Sequence, residues 1–558
     1  MTSGDDTTTG PGASAVEIDD AELARPRRSA VLDSAHLGDI EGAFGRISVS
    51  ETEHPHTWKT RLLTLLAIVG PGIIVMVGDN DAGGVATYAQ AGQNYGYSLL
   101  WVLLLLVPVL IVNQEMVVRL GAVTGVGHAK LINERFGRGW GWFSVGDLFL
   151  LNFLTIVTEF IGISLAAAYI GVSKYIVVPI SAVALVAIMA SGSFRRWERA
   201  MFVFIAITLL QIPMLLMSHP QWGHAAKSFV VPSISGGVSS DAVLLIIAIV
   251  GTTVAPWQLF FQQSNVVDKR ITPRFMAYER ADTVLGAFVV IVGAAALLMT
   301  GDWAARSTDT AGKFTDAGAI AHLLGQHSTT LGSFFAIVLM DASIIGAAAV
   351  TLATSYAFGD VFGLKHSLHR GFADAKQFYL SYTAMVMLAA AIVLIPGAPL
   401  GVIIEGVQAL AGVLLPAATV FLLLLCNDRA VLGPWVNRRG TNMFTSAVVA
   451  VLITMSVVLT ASVLFPRITE RQILSIFLGC AAVSVAAGGW TLIRSLRGHS
   501  PAEVDRRDRE SWRMPPLNVL SRPVMSTGRK IGLTALRSYL AIAMILVIIR
   551  IVELAIGH

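Results

Sequence analysis

Two carboxylates, Asp79 and Asp81, lie inside the first strongly apolar segment of this chain, within the run Gly78-Asp79-Asn80-Asp81-Ala82-Gly83-Gly84. On insertion scales an Asp at mid-bilayer costs about 2.5–3.5 kcal/mol, so a pair there points to a polar ligand. The neighbouring glycines let a helix unwind and release backbone carbonyls, which together with carboxylates make a cation site. A second run, Thr252-Thr253-Val254-Ala255-Pro256-Trp257-Gln258, interrupts the sixth apolar segment. Pro256 donates no backbone N–H and clashes with the preceding turn, which frees carbonyls near residues 252–255. By itself that would read as a proline kink, a common feature of membrane helices. Two broken helices at corresponding places in two halves of a membrane protein point instead to a transporter's binding site.

Each polar residue inside an apolar segment has a second role open to it. Asp81 either supplies charge to a ligand or caps the helix that restarts after the break, and Gly83 and Gly84 beside it favour the ligand. Asp79 either faces the same cavity or steadies the end of the half-helix. Glu159, midway along the third segment, suits a proton relay or a structural hydrogen bond. Asp341 and Gln408 are further candidates, and Asp282 is expected to partner the adjacent basic loop. The two cysteines, Cys426 and Cys480, both fall in apolar segments and give no disulfide framework or zinc spacing.

The elements that position these residues follow from composition. Hydrophobic residues make up 54% of the chain and charged ones 14%, and mean hydropathy is +0.68. Soluble domains carry roughly 25% charge, so this is a polytopic membrane protein. The lipid bilayer is its expected partner, and nothing suggests nucleic-acid binding. Segments long enough to span, about 20 residues each, fall near 61–91, 97–118, 143–169, 173–191, 200–217, 241–266, 280–300, 330–357, 377–396, 400–426, 443–465 and 472–494. A further one, near 533–556, either spans or lies in the interface.

Basic residues gather in alternate loops, among them Arg195, Arg196 and Arg199, then Lys269, Arg270 and Arg274, then Arg429, Arg438 and Arg439. This alternation puts the amino terminus inside, in a cell membrane. Five spans separate the two breaks, so the second half starts inverted, giving a five-plus-five inverted repeat. The expected organisation is a disordered cytoplasmic tail (1–57), a ten-span transport core (58–430), two peripheral spans (431–498), a cytoplasmic loop (499–530) and a possible last span (531–558).

The chain resembles the NRAMP family of divalent-metal transporters over roughly residues 60–435. Gly70-Pro71-Gly72 precedes Asp81-Ala82-Gly83-Gly84, where the family has Asp-Pro-Gly-Asn. Ala86-Thr87, Tyr95-Gly96-Tyr97-Ser98-Leu99-Leu100-Trp101, Arg119-Leu120-Gly121 and Val123-Thr124-Gly125 follow the family pattern. So do Glu159 with Gly162, Thr253-Val254-Ala255-Pro256, and Gln408 with Pro416. The resemblance implies an all-α LeuT-type fold with metal bound between the broken first and sixth helices.

The departures carry as much information. Gly84 stands where the family has its metal-binding Asn, and Ala255 where it has its metal-binding Met. Trp257 and Gln262 replace two histidines, and Ile156 replaces an acidic residue three positions before Glu159. Losing the thioether removes the bias toward soft ions. A larger site of carboxylate, amide and carbonyl oxygens suits Mg²⁺, which dehydrates reluctantly. The pattern is similar to the NRAMP-related magnesium transporters, a branch that carries Mg²⁺ and Mn²⁺ and is thought to work without protons.

The expected function is uptake of hydrated Mg²⁺, with Mn²⁺ as a second substrate, by alternating access; no resident cofactor is implied. Asp81 would supply the main charge, Gln258 and Gln408 would complete an outer shell with carbonyls near Gly84 and Ala255, and Trp257 would shape the cavity. The rivals are a proton-coupled Mn²⁺/Fe²⁺ importer using Asp79 and Glu159, and a Na⁺-coupled organic-solute symporter of the same fold. A membrane sensor ranks below these and an enzyme lower still, and no Walker-type nucleotide loop appears.

Overall fold

A computed structural model describes residues 34–50, 57–306, 308–396, 400–465, 468–497, 506–507, 509–520, 523 and 527–556. The molecule is almost entirely helical. A short hairpin, β1 (Ile40–Glu41) paired antiparallel with β2 (Arg46–Ile47), precedes the helices. The first half then holds α1 (Trp58–Ile68), α2 (Pro71–Val77), α3 (Ala82–Tyr95), α4 (Leu100–Thr124), α5 (His128–Phe136), α6 (Arg138–Tyr169), α7 (Lys174–Met189), α8 (Phe194–Thr208), α9 (Gln211–Met217) and α10 (Trp222–Val230). The second half holds α11 (Ser240–Thr253), α12 (Pro256–Asp268), α13 (Met276–Ala305), α14 (Ala317–His327), α15 (Thr329–Phe362), α16 (Lys376–Val393), α17 (Leu400–Cys426) and α18 (Arg429–Leu432). Last come α19 (Arg439–Leu464), α20 (Glu470–Arg497) and α21 (Thr527–Ile556).

Among the described residues ten helices are long and apolar enough to cross a membrane, or eleven if the α1–α2 pair, bent by 52°, counts as one span. The expected count of twelve differs for two reasons. The first two segments run on through a single 3₁₀ turn, Gly96–Leu99, into one apolar stretch, Ala82–Thr124. The fourth, α7, is a shorter helix of 16 residues. The last segment forms α21, whose Tyr539 hydroxyl bonds Ser456 and Thr460 of α19, both at 2.8 Å.

Both breaks expected from the sequence occur. Ahead of the first, at the bend between α1 and α2, Gly70 has a φ of +156°, and a Cβ there would collide with the Glu198 carboxylate. Asp282 of α13 accepts from the backbone N–H of Gly70 (3.1 Å), Gly72 (2.7 Å) and Ile73 (3.3 Å). It thus caps α2, meeting the orphan donors of a helix that starts inside the protein, and it also feels the charge of Lys269 in the basic loop, as expected. The basic loop's Lys269 bonds directly to Glu198 at 2.6 Å, both side chains fully buried, and donates to the last carbonyls of α1 at Ile68 (2.7 Å) and Val69 (2.9 Å).

Small residues set the spacing of the core. A Cβ on Gly92 of α3 would meet the Leu298 carbonyl, and one on Gly301 of α13 the Ala89 carbonyl. The two backbones therefore lie in direct contact, the close approach that glycine allows between membrane helices. Apolar side chains left exposed, such as Val183 (63%), Phe288 (55%) and Val483 (70%), face outward, as lipid contact requires.

Parts of the expected tail and of the expected loop dock on the core. Residues 34–49 of the expected disordered tail form a 3₁₀ turn and the β1–β2 hairpin packed on the core, while 1–33 and 51–56 lie outside the described residues. Within the expected loop, the Met514 N–H reaches the Val123 carbonyl (3.3 Å), and Trp435 donates to the Arg509 carbonyl (2.6 Å).

Candidate functional site

The first break lies between α2 and α3. α2 runs out at Val77, and the N–H groups of Asp79 and Asn80 turn back to the carbonyls of Met76 (3.3 Å) and Val77 (3.2 Å). Asp81 is extended (φ −68°, ψ −174°) and is the N-cap of α3. Its Oδ1 accepts from the Gly84 N–H at 2.8 Å. Asp81 therefore does cap the restarting helix, the alternative weighed against its ligand role, and Oδ2 is the oxygen the cap leaves over. A Cβ on Gly84 would sit 2.9 Å from the Asp79 carbonyl and 3.5 Å from Thr252 Oγ1 of α11, so a side chain there would press on the opened backbone and on the second broken helix.

The second break lies between α11 and α12. Ala255 is extended (φ −81°, ψ 145°), its methyl makes no cap, and Pro256 opens α12 as its first residue. Gln258, one turn into α12, reaches back across both breaks. Its amide nitrogen donates to Asp79 Oδ1 and to the Thr253 carbonyl (3.3 Å), while its carbonyl oxygen accepts from Gln114 of α4 (2.9 Å). Tyr88 of α3 meets Thr253 of α11, hydroxyl to hydroxyl, at 2.7 Å. The helices are thus tied together at the site by side-chain amides and hydroxyls.

Two further residues close the site. Glu159 of α6 accepts from the Ala82 N–H at 3.1 Å through Oε2. A Cβ on Gly346 of α15 would lie 2.9 Å from both the Asp81 Cβ and Glu159 Oε2, so the two carboxyl side chains share one wall with that glycine. Gln408 of α17 lies against Gly83, where any side chain would collide with its amide nitrogen. The structure therefore gathers Asp79 with Gln258, and Asp81 with Gly83, Gln408 and Glu159. Trp257 is buried (1% exposed) and packs edge-on to Phe261, 5.9 Å between rings. Asp341 is bonded to Thr208 of α8 at 2.8 Å, which ties α15 to α8.

Several polar atoms here have no hydrogen-bond partner among the described residues: Asp79 Oδ2, Glu159 Oε1, Thr252 Oγ1 and Trp257 Nε1. Buried polar atoms are normally satisfied, so unspent oxygens around an opened backbone mark a place prepared for water or a cation. Among the described residues no three His, Cys, Asp or Glu side chains are grouped so as to hold a metal by themselves. The sequence reading missed Gln114 and the Tyr88–Thr253 pair. Gln114 had a signal, an amide beside Glu115 in an otherwise apolar span; the hydroxyl pair had none, since Tyr and Thr are unremarkable in a helix.

The arrangement has relatives. Over 418 residues the chain is 28% identical to the divalent metal cation transporter MntH of Ralstonia nicotianae, spanning 71% of this chain and 90% of that one. It is 29% identical over 273 residues to the MntH of Burkholderia ambifaria, spanning 48% of this chain and 57% of the relative. Among solved structures, a manganese transporter of Eremococcus coleocola superposes with a TM-score of 0.60 at 20% identity, covering 80% of this chain and 98% of that one. The likeness shows the fold, an all-α LeuT-type architecture in a multi-pass membrane protein. The family model described as natural resistance-associated macrophage protein-like matches residues 72–462, and the chain belongs to that Nramp family.

Proposed function

We propose that this protein carries divalent cations across the cell membrane by alternating access, taking up Mg²⁺ that keeps much of its water, with Mn²⁺ as a second substrate. The observation that carries the reading is the pair of interrupted helices, joined through Asp79 and Gln258, with a carboxylate (Asp81) opening one and a methyl (Ala255) opening the other. Relatives named as divalent metal cation transporters support the class of cargo. The methyl at 255 and the hydrogen at 84 support the harder, wetter ion, because neither offers a soft donor or fills the site. Asp81 supplies the charge nearest the opened backbone, Gln408 lies against Gly83 and Gln258 bridges the breaks.

Uptake is driven by the membrane potential, since a divalent ion moving inward through 100 mV gains roughly 2 × 2.3 kcal/mol. The amino terminus is proposed to lie inside, on the side of the Arg- and Lys-rich loops. A proton-coupled mode is the alternative that one observation favours: Glu159 keeps one oxygen unbonded beside Asp81. Reconstituted in liposomes under an inside-negative potential, the protein should admit Mg²⁺ and Mn²⁺ with no acidification of the lumen. Acidification in step with Mn²⁺ entry would select the alternative, and failure to admit either ion would reject both. Ala255→Met should shift preference toward Mn²⁺ or Cd²⁺. Gly84→Asn tests the same idea with more compression, given the 2.9 Å approach to the Asp79 carbonyl.

A further inference from the structure

Residues 34–49 lie where the elements that must move during transport converge. The tip of the β1–β2 hairpin sits on the end of α1: a Cβ on Gly42 would collide with the Ala67 carbonyl, and one on Gly45 would lie 2.9 Å from the Ala67 Cβ. Between those glycines, the Ala43 N–H donates to Glu198 Oε2 at the start of α8, and Arg199 returns a bond to the Ala43 carbonyl at 2.9 Å. The other oxygen of Glu198 holds Lys269, which holds the last carbonyls of α1. Hairpin, hinge and buried ion pair form one network.

A second set of bonds ties the segment to the far end of α12. Arg270, just past α12, donates to the carbonyls of Ala35 (2.8 Å) and Asp39 (3.0 Å). The His36 ring reaches the His366 carbonyl (3.1 Å) and stands 3.5 Å from Asp268. Asp268 in turn accepts from the Tyr356 and Ser367 hydroxyls and the Leu368 N–H. The segment thus bridges α1, α8, the end of α12 and the loop after α15. An alternating-access cycle has to separate some of these, because each broken helix pivots at its break.

We propose that residues 34–49 are a latch that holds this face of the transporter closed, and that the latch must leave its seat on α1 for the face to open. The proposal rests on the alternating-access reading above. Its hydrogen bonds and the two glycine contacts are matched to one arrangement of α1, and a swing of α1 with α2 about the first break separates them together. The latch is short and has only a few buried apolar side chains, among them Ile40, Ala43 and Ile47. Such a segment belongs to the low-stability end of a fold, from which moving parts are drawn.

The full-length protein lacking Cys426 and Cys480 supplies the test. Gly45→Cys with Ala67→Cys places two thiols where a disulfide, with its Cβ separation of about 3.5–4.5 Å, needs only a small adjustment. Oxidation, verified by mass spectrometry, should lower Mn²⁺ uptake into liposomes at least tenfold, reduction should restore it, and neither single cysteine should respond. Unchanged uptake by the oxidised pair overturns the latch. A readout independent of cargo separates this from failure of the transport reading. Ile68→Cys, wholly buried at the end of α1 beside Ala67, where the hairpin sits, should react with an aqueous maleimide at least tenfold faster once Gly42→Leu dislodges the hairpin, and equal labelling rates overturn the proposal even if no cation is carried.

Discussion

Asp81 performs a cap and is proposed to perform a charge, and substitution separates the two. Asn caps helices about as well as Asp, whereas Ala costs about 1 kcal/mol. Asp81→Asn should therefore keep the Gly84 bond and the thermal stability of the purified protein while reducing Mg²⁺ and Mn²⁺ uptake at least tenfold. If uptake survives in Asp81→Asn, the carboxylate is only a cap. Gly83 is the sharper probe of space, since any side chain there runs into Gln408. Gly83→Ala should reduce uptake with little loss of stability, and Gln408→Ala in the same chain should relieve the crowding without returning the amide. At this scale the sequence disclosed Asp79, Asp81, Gln258 and Gln408, because polar groups are conspicuous where a membrane helix should be apolar. It did not disclose that Asp79 and Gln258 bond to each other, because that needs two segments some 180 residues apart to be brought into register.

The helices show why the breaks were legible and their supports were not. The Asp81-Gly83-Gly84 run and Pro256 announce interruptions through backbone chemistry that is local to the sequence, whereas the bend between α1 and α2 at Gly70 was not anticipated. The supports are remote: α2 is capped by Asp282 from 210 residues away, and the end of α1 is held by Lys269 from 201 residues away. Lys269→Met would leave Glu198 buried without its cation, so thermal unfolding in detergent should show a loss of about 3–5 kcal/mol, much of it recovered by adding Glu198→Gln. A smaller loss than about 1 kcal/mol would show that water reaches Glu198.

At the end of α15, burial by itself would lower the pKa of His366, but its bond to Asp360 (3.1 Å) outweighs this and holds it above the ordinary histidine value. A raised folded pKa stabilises fully below about pH 6.5, the unfolded value, and the gain fades as pH rises through the folded value. Compared with Asp360→Asn, the wild type should therefore lose thermal stability as pH rises above about 6.5. Equal slopes in the two would place the titrating group elsewhere.

Across the whole molecule, composition was enough to establish a polytopic helical protein, and the paired breaks suggested two inverted halves. What composition hid were the polar segments, 34–49 and 509–520, which dock on the core through backbone bonds and single side chains that have no periodic signature. Both lie against loops joining spans, the first across α1, α8 and α12, the second against α4 and the turn before α19. The cargo is proposed to be decided at the centre, around Asp81 and the two breaks, where Gly84 and Ala255 offer no soft donor. The most direct measurement is uptake of Mg²⁺ and of Mn²⁺ into liposomes under an inside-negative potential, for wild type and Asp81→Asn side by side. Entry of both ions in the wild type, Mg²⁺ included, and at least a tenfold loss of both in Asp81→Asn is the expected result. Exclusion of Mg²⁺ by the wild type, or entry undiminished by Asp81→Asn, would contradict it.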